Sequence, residues 1–255
     1  MSPYLSIIIP AYNEEKTIAQ TLKSIIGHLK AKNFSYEIIV VSDGSKDNTV
    51  GAVYENFPNE NSIIVIDRKE NKGKGYTVRE GFLKASGEVR LFMDSDNATD
   101  ISHFDLMKPL FDSGYDVVIA SRDPKDAPGA RQAVSQPWHK RMLGNAGNLF
   151  IQFFAVPGIW DTQCGFKAFT KEASEKIFSK SKIDKWSIDV ELLALAKLFN
   201  YKIGIVPAYW INNPNSRVKL SNYFKFLFEV VKISGYISRL KKEMKKEAAL
   251  ATHTK

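Results

Sequence analysis

The chain has 255 residues, 44% hydrophobic and 25% charged, enough for one large α/β body and too apolar for a disordered, collagenous or coiled-coil chain. Its single cysteine, Cys164, excludes an internal disulfide, a Cys-rich zinc site and a C-x-x-C redox pair, and fits a reducing compartment. The net charge is +8, but ten Lys/Arg against three Glu fall after residue 216, so the body is nearly neutral and an anionic partner is expected at the tail.

Short β-branched runs closed by polar or turn residues predict buried strands at 5–10, 37–42, 62–67, 89–93 and 116–121. Between the first two, residues 16–29 carry Ile18, Leu22, Ile25, Ile26 and Leu29 at helical spacing, and 76–85 reads as a second helix ahead of Ser86 and Gly87. Strand and helix alternate, which predicts a mostly parallel, doubly wound sheet. Residues 122–129, with Pro124, Pro128 and Gly129 among charges, have loop composition and are expected to be mobile. Helices follow at 138–154 and 188–199, then a strand at 202–207. From Tyr223 on, Phe226, Leu227, Val230, Ile233, Ile237 and Leu240 form one stripe and Lys225, Glu229, Lys232 and Arg239 another, an amphipathic helix that runs into Lys241, Lys242, Lys245 and Lys246. The stripe suits either the core or a membrane interface, and partial membrane contact is expected. No run reaches the roughly 18 apolar residues of a membrane span.

In an open parallel sheet, ligands bind beyond the carboxyl ends of the strands. Three predicted strands end in polar clusters: Pro10 to Glu14, Ser42 to Ser45, and Asp94 to Asn97. Two carboxylates one residue apart, Asp94 and Asp96, suit a hard divalent cation bridging a diphosphate, although D-S-D also serves as a turn and helix cap. Tyr12 with Glu14, and Asp43, suit a base and ribose pocket, while Asn13, Ser45 and Asp47 suit helix capping. Gly73-Lys74-Gly75 lacks the third glycine of a dinucleotide fingerprint and reads as a tight turn. Cys164, Phe166 and Phe169 read as packing around the site, and the four histidines have no ligand spacing.

The strings Ile9-Pro10-Ala11-Tyr12-Asn13-Glu14-Glu15, Val41-Ser42-Asp43-Gly44-Ser45, Asn71-Lys72-Gly73-Lys74-Gly75 and Asp94-Ser95-Asp96 together resemble the family 2 inverting glycosyltransferases of the Rossmann-like GT-A fold. Asp161-Thr162-Gln163-Cys164-Gly165-Phe166-Lys167 and Trp186-Ser187-Ile188-Asp189-Val190-Glu191-Leu192 resemble one branch, the dolichyl-phosphate β-glucosyltransferases and their polyprenyl-phosphate relatives. The resemblance runs from about Ser6 to about Lys232.

It implies that Pro10, Tyr12, Glu14, Val41 and Asp43 hold the nucleoside of a nucleotide-sugar donor, UDP-glucose by preference. Asp94, Ser95 and Asp96 would hold the diphosphate, with Mg2+ or Mn2+ on Asp94 and Asp96. Ser121-Arg122 matches the branch's G-S-R, with Arg122 near the phosphates. Ser216-Arg217 matches a position usually written G-S-K, so Arg217 and Lys219 would meet the phosphate of a dolichyl or polyprenyl acceptor; they also suit a solvated charge run opening the tail helix. Asp189 and Glu191 suit either a general base or an orienting role. The expected organisation is a catalytic domain at 1–220 and a basic amphipathic helix and tail at 221–255. N-terminal anchors and appended membrane helices of relatives have no counterpart here, so a cytoplasmic protein peripherally bound to the cytosolic face of a membrane is expected. The basic tail comes without a stacking-rich motif, so no nucleic acid is expected as partner. The rival readings are a GDP-mannose donor, or a sugar hydroxyl as acceptor.

Overall fold

Runs of Ile, Val and Leu without polar alternation form strands covered on both faces, and here they lie side by side in one sheet. The computed structural model describes residues 2–132, 138–210 and 220–253. In chain order the elements are β1 (Leu5–Ala11), α1 (Ile18–Leu29), β2 (Tyr36–Ser42), α2 (Thr49–Asn56), β3 (Ile63–Asp67), α3 (Lys74–Lys84), β4 (Val89–Met93), a 3₁₀ turn (Ile101–His103), α4 (Phe104–Asp112) and β5 (Val117–Ser121). Then come β6 (Arg131–Gln132), α5 (Trp138–Phe154), β7 (Phe166–Thr170), α6 (Lys171–Lys180), α7 (Ile188–Leu198), β8 (Ile203–Pro207), β9 (Tyr209–Trp210) and α8 (Leu220–His253).

The main sheet has the order β3-β2-β1-β4-β7-β5-β8. All its pairings are parallel except those of β7, which lies antiparallel between β4 and β5. Successive side chains of a strand point to opposite faces. Ile7, Ile9, Ile38, Val40, Leu91 and Met93 therefore pack with α1 and α4, while Ile8, Ile39, Val41 and Phe92 pack with α3, α6 and α7. Each such side chain, removed from water, stabilises the fold by about 1.5–3 kcal/mol. On the second face Phe82 of α3 stacks on Phe178 of α6 at 3.9 Å, with Phe169 of β7 edge-on to both.

The five strands expected in the first half are present, as are the helices over 18–29, 74–84, 138–154 and 188–198. Helices α2, α4 and α6, strand β7, the two-residue strands β6 and β9 and the 3₁₀ turn were not anticipated. The stripe on α8 is turned mostly inward, since Val230, Ile233 and Leu240 are buried and α8 lies against α7 and α5. Phe228 and Val231 remain exposed on it. Residues 122–129, expected to be mobile, are tied down by Asp126, whose carboxylate accepts from Ser121 Oγ at 2.7 Å and from Trp160 N and Asp161 N at 2.8 Å. No helix among the described residues is long and apolar enough to cross a membrane.

Candidate active site

Because β2, β1 and β4 are parallel neighbours, their carboxyl ends bring the three polar clusters to one edge. The first two loops are laced together: Asn13 N donates to Ser45 Oγ (3.1 Å), Lys46 N to Asn13 Oδ1 (2.8 Å) and Glu14 N to Thr49 Oγ1 (2.8 Å). Asn13 adopts a left-handed φ of 57°, a conformation Asn tolerates better than most residues. Asn13 and Ser45 thus join loops rather than cap helices, while Asp47 accepts from Thr49 N in the first turn of α2. Tyr12 stands at the rim, 42% exposed, above half-buried Pro10. The Glu14 carboxylate accepts from the Thr17 hydroxyl; burial raises its pKa, and nearby Asp96 adds to the rise.

Two expected nucleoside contacts are placed differently. The Val41 side chain is fully buried in the core facing α3, so only its backbone reaches the edge. Asp43 is buried, and both its oxygens have partners: Lys72 N (2.7 Å) and Arg68 on one, Gly73 N (2.9 Å) on the other. It fixes the 68–73 loop, because a buried carboxylate must find donors there. Gly73 (φ 104°) and Gly75 then let a distant loop lie on the start of α3; Gly75 N donates to Asp184 O at 2.9 Å, and a Cβ at residue 75 would meet Ile183 O at 2.3 Å. Close approach of backbone to backbone explains the Gly-Lys-Gly string.

Lys74, between those glycines, reaches Asp94 Oδ1 at 2.9 Å. Burial alone would lower its pKa; Asp94 and Asp189 reverse that and hold it raised. Asp94 N donates to Gly165 O (3.1 Å), and any side chain at Gly165 would overlap the Asp94 carboxylate. The backbone O of Ser95 accepts from Thr21 Oγ1 (2.7 Å), and Asp96 accepts from Ala98 N (3.0 Å). Burial and the Asp94 charge raise the Asp96 pKa. Trp186, largely exposed, lies with its ring centroid 5.3 Å from Lys74 Nζ.

Behind this rim lies a charged layer. Asp189, in the first turn of α7, is buried between Lys167 Nζ, with which it pairs, and Lys74 Nζ at 3.7 Å. Lys167 sits on β7 with no exposure and also donates to Cys164 O. Arg122 is clamped by Asp161 through Nε (2.7 Å), Nη2 (2.8 Å) and its own backbone N (2.8 Å), with the Trp210 ring 5.1 Å away. Burial would raise the Asp161 pKa, but Arg122 outweighs it and brings it down to about 2. Glu191 is occupied: its oxygens accept from Ser181 Oγ and from the backbone N of Lys182 and Ile183. Its role is to hold that loop. Cys164, Phe166 and Phe169 are buried packing, as expected, and burial pushes the Cys164 thiol up to about 11. Arg217 and Lys219 lie outside the described residues.

Among the described residues no three His, Cys, Asp or Glu gather into a metal cage. Asp94, with a side chain 41% exposed, and Asp96 nevertheless present two neighbouring carboxylates at the strand ends, where burial and then the Asp94 charge raise the Asp96 pKa. A hard cation completed by phosphate and water oxygens fits such a pair. Lys74, Lys167 and Asp161 escaped the sequence reading although each lies within a quoted string. A lysine flanked by Phe166, Ala168 and Phe169 was the available signal, since a charge in an apolar strand is seldom buried unpaired.

Seven strands wound with helices on both faces, and acidic loops at one edge, make a GT-A fold; residues 6–178 match the Glycosyl transferase family 2, and the chain belongs to that family of glycosyltransferases. Its relatives include dolichyl-phosphate beta-glucosyltransferases: one of Trichomonas vaginalis is 34% identical over 91% of this chain and 73% of its own length, and the one of Homo sapiens is 34% identical over 84% and 69%. Among solved structures, glucosyl-3-phosphoglycerate synthase from Mycobacterium tuberculosis with uridine-diphosphate superposes with a TM-score of 0.65 at 18% identity, over 92% of this chain and 80% of that one. A second structure of that enzyme, with Mn2+, UDP-glucose and phosphoglyceric acid, gives 0.64 at 18%, over 92% and 80%.

Proposed function

We propose that the chain transfers glucose from UDP-glucose, with inversion, to dolichyl or another polyprenyl phosphate at the cytosolic face of a membrane. The relatives that span most of its length are named for that acceptor and that sugar. The observation that carries the acceptor reading is the state of Asp189. A sugar hydroxyl must lose a proton during transfer and calls for a free carboxylate within reach. Asp189 is buried and engaged by Lys167 and Lys74, so it is not free for that task. A phosphate monoester already carries a negative oxygen at neutral pH and needs no base.

In this reading Tyr12 gives a stacking face to the base, Pro10 and Val41 contribute backbone, Glu14 accepts from the nucleoside, and Asp43 shapes the loop beside it. Asp94, Ser95 and Asp96 border the diphosphate, and Asp94 and Asp96 would hold Mg2+ or Mn2+. That cation, when bound, offsets the charge of the departing diphosphate. Lys74 keeps Asp94 in place, and Arg122, already paired, adds rigidity more than a free donor. Arg217 and Lys219 offset repulsion between the two anions.

Nucleotide release tests the reading. UDP-glucose with a short-chain polyprenyl phosphate should release UDP in proportion to lipid-linked sugar, and GDP-mannose should not substitute. Arg217→Ala should lower turnover more than Asp189→Asn. Equal turnover with a soluble sugar as acceptor would defeat the proposal.

A further inference from the structure

A cavity of about 430 Å3 lies away from the strand ends, between α8 and the loop that precedes α7. Three cations border it: Lys182 from the loop, and Lys232 and Arg239 from α8, two turns apart on one helix face. None of the three is paired with a carboxylate among the described residues. The one acid in the lining, Glu191, accepts from Ser181 Oγ, Lys182 N and Ile183 N. Cations thus outnumber the single acid in the lining by three to one, and that acid already has its hydrogen-bond donors. Ile183 and Ile233 make the walls apolar, and beside the cavity α8 exposes Phe228 (61%), one turn before Lys232, and Val231 (44%) next to it. Lys232 Nζ lies 4.5 Å from the centroid of the Phe228 ring, so the cationic and apolar surfaces are continuous.

A predominantly cationic recess, roomy enough for a phosphate with its attached headgroup and joined to exposed aromatic and aliphatic side chains, matches an amphiphile with a negative head. We propose that this cavity binds the phosphate of an anionic phospholipid headgroup, with Phe228 and Val231 against the acyl region. The proposal rests on the reading that α8 faces a membrane, and adds a defined headgroup site to it. It also has a route to the active site. The loop behind the cavity continues through Asp184, whose carbonyl accepts from Gly75 N and Tyr76 N, to Trp186 beside Lys74 and to Ser187, which donates to Glu229 Oε2 of α8. A headgroup seated on Lys182 and α8 bears on the loop that carries Trp186.

The test compares two double variants of equal charge in the full chain: Lys232→Gln with Arg239→Gln at the cavity, and Lys23→Gln on α1 with Lys30→Gln just after its end, across the sheet. All four side chains are exposed, and melting curves check that both variants fold. Binding is measured to phosphatidylcholine vesicles with and without phosphatidylglycerol, together with tryptophan emission in the wild type and in Trp186→Phe. The expected result is a loss of about tenfold in affinity for phosphatidylglycerol vesicles in the cavity variant alone, and an emission change on vesicle binding that Trp186→Phe removes. Equal losses in both variants would overturn the headgroup site while leaving membrane association standing. A Trp186 response to millimolar inorganic phosphate without vesicles, lost in the cavity variant, would overturn the lipid assignment in favour of a free phosphate. A wild type that ignores phosphatidylglycerol vesicles would overturn both, and UDP release with a soluble short-chain acceptor would then show whether sugar transfer still holds.

Discussion

The rim of the sheet and the layer beneath it use charge in opposite ways. At the rim, burial raises the proton affinity of Glu14 and Asp96, the Asp96 charge adds to the first rise and the Asp94 charge to the second, and the buried cation Lys74 reaches Asp94. In the layer beneath, each charge has a matched partner: Lys167 with Asp189, Arg122 with Asp161, Arg68 with Asp43. Paired charges fix the position of backbone that must not move. Unbalanced charge of one sign is costly in a resting protein, and it persists where a ligand of the other sign completes it.

The comparison breaks or holds on what happens when each region loses a charge. Asp96→Asn should lower turnover about a thousandfold, on the order of 4 kcal/mol, and excess chelator should do the same. Its melting temperature should hold or rise, because one of two repelling carboxylates is gone. A fall of many degrees would place Asp96 with the structural layer. Lys167→Met should show the reverse. It strands Asp189 without its close partner, a change that typically costs about 3–5 kcal/mol of stability. Asp189→Asn should likewise unfold earlier in urea yet keep far more turnover than Asp96→Asn. Replacing both partners, Lys167→Met with Asp189→Leu, should recover part of the loss, since two apolar groups leave no buried charge unpaired.

The same division decides what could be read from the sequence. The rim was legible because its residues are neighbours in sequence and their strands announce themselves as apolar runs; once the sheet is parallel, the ends must converge. The layer beneath was not, because its partners are far apart: 22 residues separate Lys167 from Asp189, 39 separate Arg122 from Asp161, and no local spacing records such pairs. Strand β7 was missed for a related reason. It holds a lysine, Lys167, as its second residue, so it does not read as a buried strand until Asp189 is known to meet it. Its antiparallel insertion between β4 and β5 brings Gly165 against Asp94. The inward stripe of α8 was the opposite case, a pattern plain in the sequence whose partner surface, α7 and α5, only the fold reveals.

Acid should sharpen the contrast further, with the smallest effect. Asp161 has a pKa of about 2 in the fold against an ordinary 3.8, because Arg122 stabilises its charged form. A carboxylate depressed in this way contributes stability that is present above its unfolded value and lost as pH falls through its folded one. The window is therefore from about pH 4 down to about pH 2, and the contribution is on the order of 2 kcal/mol. Asp96 and Glu14 have the opposite sign: their raised values mean that the fold takes up protons more readily than the unfolded chain, so mild acid relieves the rim before it harms the layer beneath. Urea unfolding of wild type and Asp161→Asn across pH 7 to 2 separates the two. The wild-type advantage should stay constant down to about pH 4 and shrink below it. An advantage already vanishing between pH 7 and 5 would mean that the Arg122 clamp does not hold Asp161 ionised, and the layer would lose its distinction from the rim.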